Sequence, residues 1–315
     1  MPITRNNNLS VLDKRLRKVA LSSKSNIAQI SDRIVKTIPT ERAYEIFDYW
    51  AGVDEASAVS EGGVYPEKAI KKGDSKTVDV DKFGFVTRVT REMVEDNQFT
   101  PIVDVLGQAM RNSMRQTREK QAVNLLNNGF DSATQTTPDG VALFSASHVL
   151  KQTNATQTNT ATAAALDIDV LWSGINTMKT TKDDSGLYAS IYEPKFLVVP
   201  QQLERRAHEL LKSDWTPQIT ENTANVFPTL YKIDILTSPL LTSTTAWFLL
   251  AKPSDVIYYG LICLDREEFS LKPLFDVKAA ELGDSVDRDV YAWRVRERYA
   301  YDVIHWNGAY GNQGA

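Results

Sequence analysis

A chain of 315 residues, 42% hydrophobic and 24% charged, is long and apolar enough for one large domain or two intimate ones, which excludes wholesale disorder. Its formal net charge of -4 carries no global basic excess of the kind that marks a nucleic-acid binder. The longest apolar run, Val256 to Leu264, falls far short of the roughly 18 residues that span a bilayer, and the single Cys263 excludes an intrachain disulfide.

A soluble protein made in a cytoplasm, with no membrane partner, is therefore expected. Residues 1 to 45 read as an amino-terminal arm. Its first part carries Arg5, Lys14, Arg15, Arg17, Lys18 and Lys24 against Asp13, with weak helical patterning. A partly helical extended arm and a loose tail fit equally. The charge run is either solvated or a contact for an acidic scaffold or a genome. From Thr40 to Trp50 a short helix is expected, with Thr40 as cap and Ala43, Ile46, Phe47 and Trp50 on one face.

Residues 61 to 90 read as a long β-hairpin. Its first arm is Gly63 to Ile70, its tip Lys71 to Ser75, and its second arm Thr77 to Val89, where Val78, Val80, Phe83, Phe85 and Val89 alternate imperfectly. Such polar arms cannot form a core alone, and a lone hairpin is marginal in water. This one needs a surface to lie on, and a neighbouring subunit is a natural candidate.

A spine helix follows over 100 to 128. Thr100 is its candidate cap, and Pro101 suits the first turn. Ile102, Val105, Leu106, Ala109, Met110, Ala122, Leu125 and Leu126 recur at spacings of three and four, and Asn127-Asn128-Gly129 ends it. At about 1.5 Å per residue it makes a rod of about 40 Å.

The low-complexity stretch 151 to 165 suits an exposed loop. Beyond it helix and strand alternate: helices at 168–181 and 201–212, strands at 195–199, 231–236, 246–251 and 256–264. From Val290 to Trp306 the odd positions hold Tyr291, Trp293, Val295, Tyr299, Tyr301 and Val303, and even positions hold Arg294, Arg296 and Arg298. That period of two describes a long strand, or two in line, with an aromatic face buried and an arginine face exposed. The arginine face, with Arg288 nearby, is either solvated beside cross-strand acids or a contact for a subunit or DNA.

Chemistry is mostly absent from the sequence. Neither the dinucleotide nor the P-loop glycine spacing occurs, and there is no Gly-x-Ser-x-Gly elbow. His208-Glu209 begins like a zinc-protease helix, but Lys212 stands where the second histidine must be. Asp79, Asp81 and Gly84 lack the remaining ligands of a calcium loop. Ser145 or Ser147 beside His148 is better read as a turn than as a triad. No catalytic residue, cofactor site or metal site is therefore expected, and the chain is not expected to be an enzyme.

The order of polar arm, hairpin, spine helix, mixed domain and terminal strand resembles the Hong Kong 97-type capsid fold of tailed bacteriophages. The wording is similar to the Mu-like major head subunit family: TPDGVALFSASH at 137–148, YPEKAIKKGDSKTVDVDKFGFVTRVTREMVEDN at 65–97 and PKFLVVPQQLERRAHELL at 194–211. The resemblance runs from about residue 40 to 308. It implies an α+β subunit with a peripheral domain (91–165 and 287–315), an axial domain (166–286) and an extended hairpin loop (61–90) lying over the adjacent subunit.

Such a subunit is a major capsid protein. It would assemble in the bacterial host cytoplasm into pentamers and hexamers of a virion shell around double-stranded DNA. The short arm implies a separate scaffolding protein, and a portal is expected. Tyr65, Lys68, Lys71, Lys72, Lys76, Arg294, Arg296 and Arg298 are the candidate subunit-interface residues. Some relatives crosslink a loop lysine to a neighbour's asparagine, whereas lysines here also simply keep a hairpin edge soluble. Three rivals stand beside this reading: an encapsulin-like nanocompartment shell, an α/β enzyme with an unrecognised site, and another phage structural protein such as a tail-tube subunit, whose β-rich fold would not explain the spine helix.

Overall fold

The computed structural model describes residues 5–23, 26–50, 52–53, 55–70, 72–96, 100–188, 192–215, 224–254, 260–274 and 290–315. Lys24, Lys71, Arg288, residues 256–259 and the side chains of Arg5, Thr100, Pro101 and Ile102 lie outside them.

The arm is helical. α1 (Arg5–Ser22) runs along the spine helix, burying Leu16 and Ala20 completely on a stripe with half-buried Leu12. Polar clasps fix it: the Trp293 indole donates to Asp13 at 3.2 Å, and Arg15 forks onto Asp104. The short α2 (Ser31–Ile34) and strand β1 (Lys36–Pro39) follow. Glu119 of the spine accepts the Ile30 and Ser31 amides at 2.7 and 3.3 Å, filling orphan donors of α2.

The helix expected at Thr40–Trp50 is instead strand β2 (Tyr44–Trp50). Residues 43, 46, 47 and 50 fit a helical face, but the segment is aromatic and β-branched and apolar on both parities, as a strand between two surfaces is. Thr40 does not cap a helix; its hydroxyl donates to Glu45 at 2.6 Å.

The hairpin is also displaced. β3 (Lys72–Asp79) pairs antiparallel with β2, not with Gly63–Ile70, and residues 72–75, expected at the tip, lie inside the strand. The expected second arm splits, and its far part is β4 (Asp81–Thr90), a strand of the main sheet. The reason is a change of parity: Val78 and Val80 pack against Ile262 and Leu264, whereas Phe83, Phe85 and Val89 face the spine. The imperfect alternation records a chain that serves two cores in succession.

After α3 (Arg91–Glu95), the spine α4 (Thr100–Asn127) matches its expected span closely. A turn-rich stretch holds the two-residue strands β5 (His148–Val149) and β6 (Thr156–Gln157). The second half comprises α5 (Ile168–Lys179), β7 (Pro194–Val199), α6 (Glu204–Lys212), α7 (Phe227–Leu230), β8 (Asp234–Thr237) and β9 (Trp247–Ala251). The chain closes with β10 (Leu261–Pro273), β11 (Val290–Val303) and β12 (Ala309–Asn312).

Among the described residues two four-stranded sheets result, in the orders β1-β10-β11-β4 and β12-β9-β7-β8. Strand pairing crosses the expected domain borders both ways: β10, inside 166–286, joins β11, and β12, inside 287–315, joins β9. One core unites the carboxy-terminal half of α4 with both sheets through Leu126, Phe144, Phe248, Leu250, Tyr299 and Trp306. A second core buries α5 and α6 against β7 and β9.

Candidate subunit interface

The first sheet has two unlike faces. Tyr291, Trp293 and Val295 of β11, with Val89 and partly buried Phe83 and Phe85 of β4, pack against α1 and α4. The opposite face begins beneath the chain's own hairpin, where Val78, Phe47 and Val80 cover Ile262, Leu264, Ala300 and Ile304. Farther along, that face is basic. Register sets Arg294 beside Val86 and Lys272, Arg296 beside Gly84, and Arg298 beside Lys82. Arg294 is exposed, Arg296 reaches Glu267 at 3.1 Å, and half-buried Arg298 leaves its Nε without a hydrogen bond. A dent of about 240 Å³ opens at Gly84, lined by residues 82–86 of β4 and by Arg294, Val295 and Arg296 of β11. A side chain at Gly84 would strike the Val295 carbonyl, so the dent is built into the strand pair.

The hairpin supplies the other surface. Beyond β2 and β3 it continues through residues 52–53 and 55–70, almost wholly exposed, to a turn where Ser60 O accepts the Gly63 amide at 2.8 Å and Gly62 takes φ of 76°. Val64 and Tyr65 are 94% and 83% exposed, and Tyr44, Ile46, Trp50, Val53 and Ile70 are exposed as well. This concentration of apolar surface on one projection is what a contact surface looks like.

The candidate lysines differ in state. Lys68 donates to the Glu55 carbonyl. Lys72 pairs with Asp48 across the hairpin at 2.9 Å. Lys76 points the other way, into the body, where it donates to Asp302 at 2.6 Å, Thr136 O at 2.7 Å and Val303 O at 3.0 Å. It locks the hairpin base onto the end of β11.

Other groups hold the base. Lys151 pairs with Asp74 at 3.2 Å, and Gln152 donates to the Gly52 carbonyl at 3.0 Å. Burial, with repulsion from Asp74 and Asp183, pushes the neighbouring Asp184 carboxyl up to about 6. His305 lies 4.7 Å from Tyr49, ring to ring, and accepts the Asn307 amide; burial holds its imidazole down to about 4.

Behind the sheet the spine is riveted by charge. Arg111 reaches Glu297 at 3.2 Å, and Arg118 reaches Asp265 at 2.6 Å while stacking over Tyr299. Glu297 is 2% exposed, and burial raises its carboxyl above the ordinary range despite both arginines. The signal for this network lay in the sequence: Glu297 occupies an odd position, on the aromatic parity.

His148 is fully buried, bonded through Nδ1 to Asp139 at 2.7 Å and through Nε2 to Leu143 O at 3.2 Å, and stacked on Trp306. Both ring nitrogens are engaged away from Ser145 and Ser147, whose hydroxyls bond each other. Burial alone would raise Asp139, but hydrogen bonds from His148 and Thr137 overcome it and hold the carboxyl low. Among the described residues no group of His, Cys, Asp and Glu is placed to hold a metal, and no helix is long and apolar enough to cross a membrane.

A family model described as phage capsid protein matches residues 73–312. The chain belongs to that family. Solved structures agree in fold at low identity. The Microbacterium phage Oxtober96 chain aligns over 100% of both chains at 13% identity and a TM-score of 0.59. The capsid of Cyanophage P-SCSP1u aligns over 93% of this chain and 90% of its own, at 12% and 0.57. A virus-like particle from Pyrococcus furiosus covers 96% and 98%, at 9% and 0.51. Comparison with curated protein sequences returns no match. The capsid protein thus has the Hong Kong 97-type α+β fold expected of it, and it is a major capsid protein.

Proposed function

We propose that copies of this capsid protein close into rings of five and six and then into an icosahedral shell around double-stranded DNA, assembled in the bacterial cytoplasm with a separate scaffold and a portal. The observation that carries the reading is the hairpin: in a phage capsid chain, residues 55–70 project exposed Val64 and Tyr65, with no covering surface among the described residues of their own subunit. A second copy supplies that cover, and the same contact repeated around a ring closes it. Several modest contacts per subunit then hold together because they must break together.

The axial region is built on the second sheet with α5 and α6, and the peripheral region on the first sheet with α4. The subunit works by binding, not by catalysis. Within the family, kinship to Mu-like head subunits is supported by the segment TPDGVALFSASH, whose Asp-Gly pair forms the tight turn Thr137–Gly140 with Gly140 at φ of 85°. A cargo-enclosing shell of the same fold is the second reading, since a virus-like particle from Pyrococcus furiosus shares the fold.

The test is expression followed by a sizing column and negative-stain electron microscopy, alone and with the phage's other head genes. Shells or capsomer rings are the expected result. A monomer under both conditions overturns the proposal, and shells filled with protein in place of DNA in infected cells favour the second reading.

A further inference from the structure

We propose that the hairpin is held to its own subunit by a proton-gated latch: Asp184, pressed against the hairpin at Gly73 and Asp74, keeps the base shut while it carries a proton and lets it lift when the proton leaves. The inference concerns the single subunit and does not depend on how copies assemble.

The seat is tight. A Cβ on Gly73 of β3 would lie 2.6 Å from the Tyr49 ring and 3.4 Å from Asp184 Oδ2. A Cβ on Gly52, just past β2, would lie 2.8 Å from Ser185 Oγ. Both glycines belong to the hairpin, and both meet the turn that follows α5. Asp184 and Ser185 are each 7% exposed. A cavity of about 20 Å³ at the seam, lined by Tyr49, Asp74, Lys151, Asp184 and His305 among others, has room for about one water. Charges gathered here are therefore poorly screened.

Those charges do not balance. β3 brings Asp74, and the turn after α5 brings Asp183 and Asp184. The ammonium beside them is Lys151, between β5 and β6, and it is taken by Asp74 at 3.2 Å. Asp183 is spent inside its own turn, where Oδ1 accepts the Ser185 hydroxyl at 2.8 Å and the Leu187 amide at 2.9 Å. Lys182 lies over the Tyr188 ring at 4.8 Å. Asp184 keeps a hydrogen bond from the Lys151 backbone amide, which does not offset its burial and the repulsion of the other two carboxylates. Across the cavity, Asp139 is bonded to His148, and burial leaves His305 neutral above about pH 5, beside Tyr49.

The sign follows. Shut, Asp184 holds its proton up to about 6. Lifted, it returns to water and to an ordinary aspartate near 4. Protonation therefore favours the shut seat fully below about pH 4, and the preference is lost as pH rises through 6. Lys76, bonded to Asp302, Thr136 O and Val303 O, is the pivot. Lifting uncovers Ile304, which is 6% exposed and shares an apolar cluster with Val78 and Phe47 of the hairpin.

The test reads opening in the soluble subunit. In Ile304→Cys, a methanethiosulfonate reagent labels the new thiol when the base lifts. Cys263, 1% exposed and packed in the other core, reports unfolding of the whole subunit in the same sample. Peptide mass spectrometry separates the two, and dividing by the rates of the unfolded chain at each pH removes the titration of the thiols. The opening constant at position 304 is expected to be about tenfold larger at pH 7 than at pH 5, with labelling faster there than at Cys263. Adding Asp184→Asn is expected to give one low value at both pH values. Equal opening at pH 5 and 7, a pH dependence that survives Asp184→Asn, or labelling at 304 no faster than at Cys263 overturns the inference. Ala300→Cys, in the same cluster, replaces Ile304→Cys if that variant fails to fold.

Discussion

At the scale of single residues, the hairpin base is where ionisation and stability meet. Asp184, raised to about 6, keeps a proton in the folded chain that an unfolded aspartate releases near pH 4. Its contribution is full below about pH 4 and is lost as pH rises through 6. His305 has the opposite slope: held down to about 4, it is neutral where an unfolded histidine protonates near 6.5, so its contribution is lost on acidification. The two offset each other between roughly pH 4 and 6. Asp184→Asn is expected to stabilise the soluble subunit by about 2 kcal/mol at pH 8 and not at all at pH 4, leaving a curve that falls steadily on acidification. Thermal melts across that range decide it; an equal gain at both ends contradicts the assignment.

Lys76 is the other residue whose role the structure changes. Its three acceptors lie on β11 and the 130s turn, so Lys76→Met leaves Asp302 and two carbonyls short of a donor. A loss of about 2–3 kcal/mol in chemical denaturation is expected. Lys68→Met, at an exposed loop, is expected to change stability by less than about 0.5 kcal/mol. None of this was legible beforehand: Lys76 and Asp302 are 226 positions apart. A lysine one step from a turn-rich run reads as exposed until its distant partners are known.

At the scale of elements, legibility followed the length and purity of a pattern. The spine α4 and the strand β11 carry long unbroken periods of 3.6 and 2, and both fall where those periods place them. β2 is short and apolar on both parities, and so fits a helical wheel as well as a strand. The 72–90 stretch changes parity between Val80 and Phe83, which a single-hairpin reading smooths over. The sheet memberships of β10 and β12 depend on pairing between remote strands, for which no local signal exists.

The corrected hairpin yields a sharper deletion. Removing residues 53–69 with a short glycine turn in their place spares β2, β3 and β4, and should leave a folded subunit with an unchanged melting temperature and no stable shells. Normal particles from that deletion contradict the role given to the tip, and an unfolded subunit contradicts the independence of the tip from the core.

At the scale of the whole molecule, the subunit divides labour between a rigid body and a reach. The body is fixed by shared cores and by the arginine rivets Arg111 and Arg118, which tie the spine to β10 and β11. The reach is residues 55–70, which among the described residues make few contacts at home and present acid and apolar groups outward. A body that keeps its shape and a projection that adapts is a workable division for one chain that must close rings of different size.

The most direct measurement is an electron cryo-microscopy reconstruction of assembled particles at side-chain resolution. The expected density has the exposed hairpin tip around Val64 and Tyr65 of each subunit covered by a neighbouring subunit. Density in which the tip folds back onto its own subunit contradicts the account.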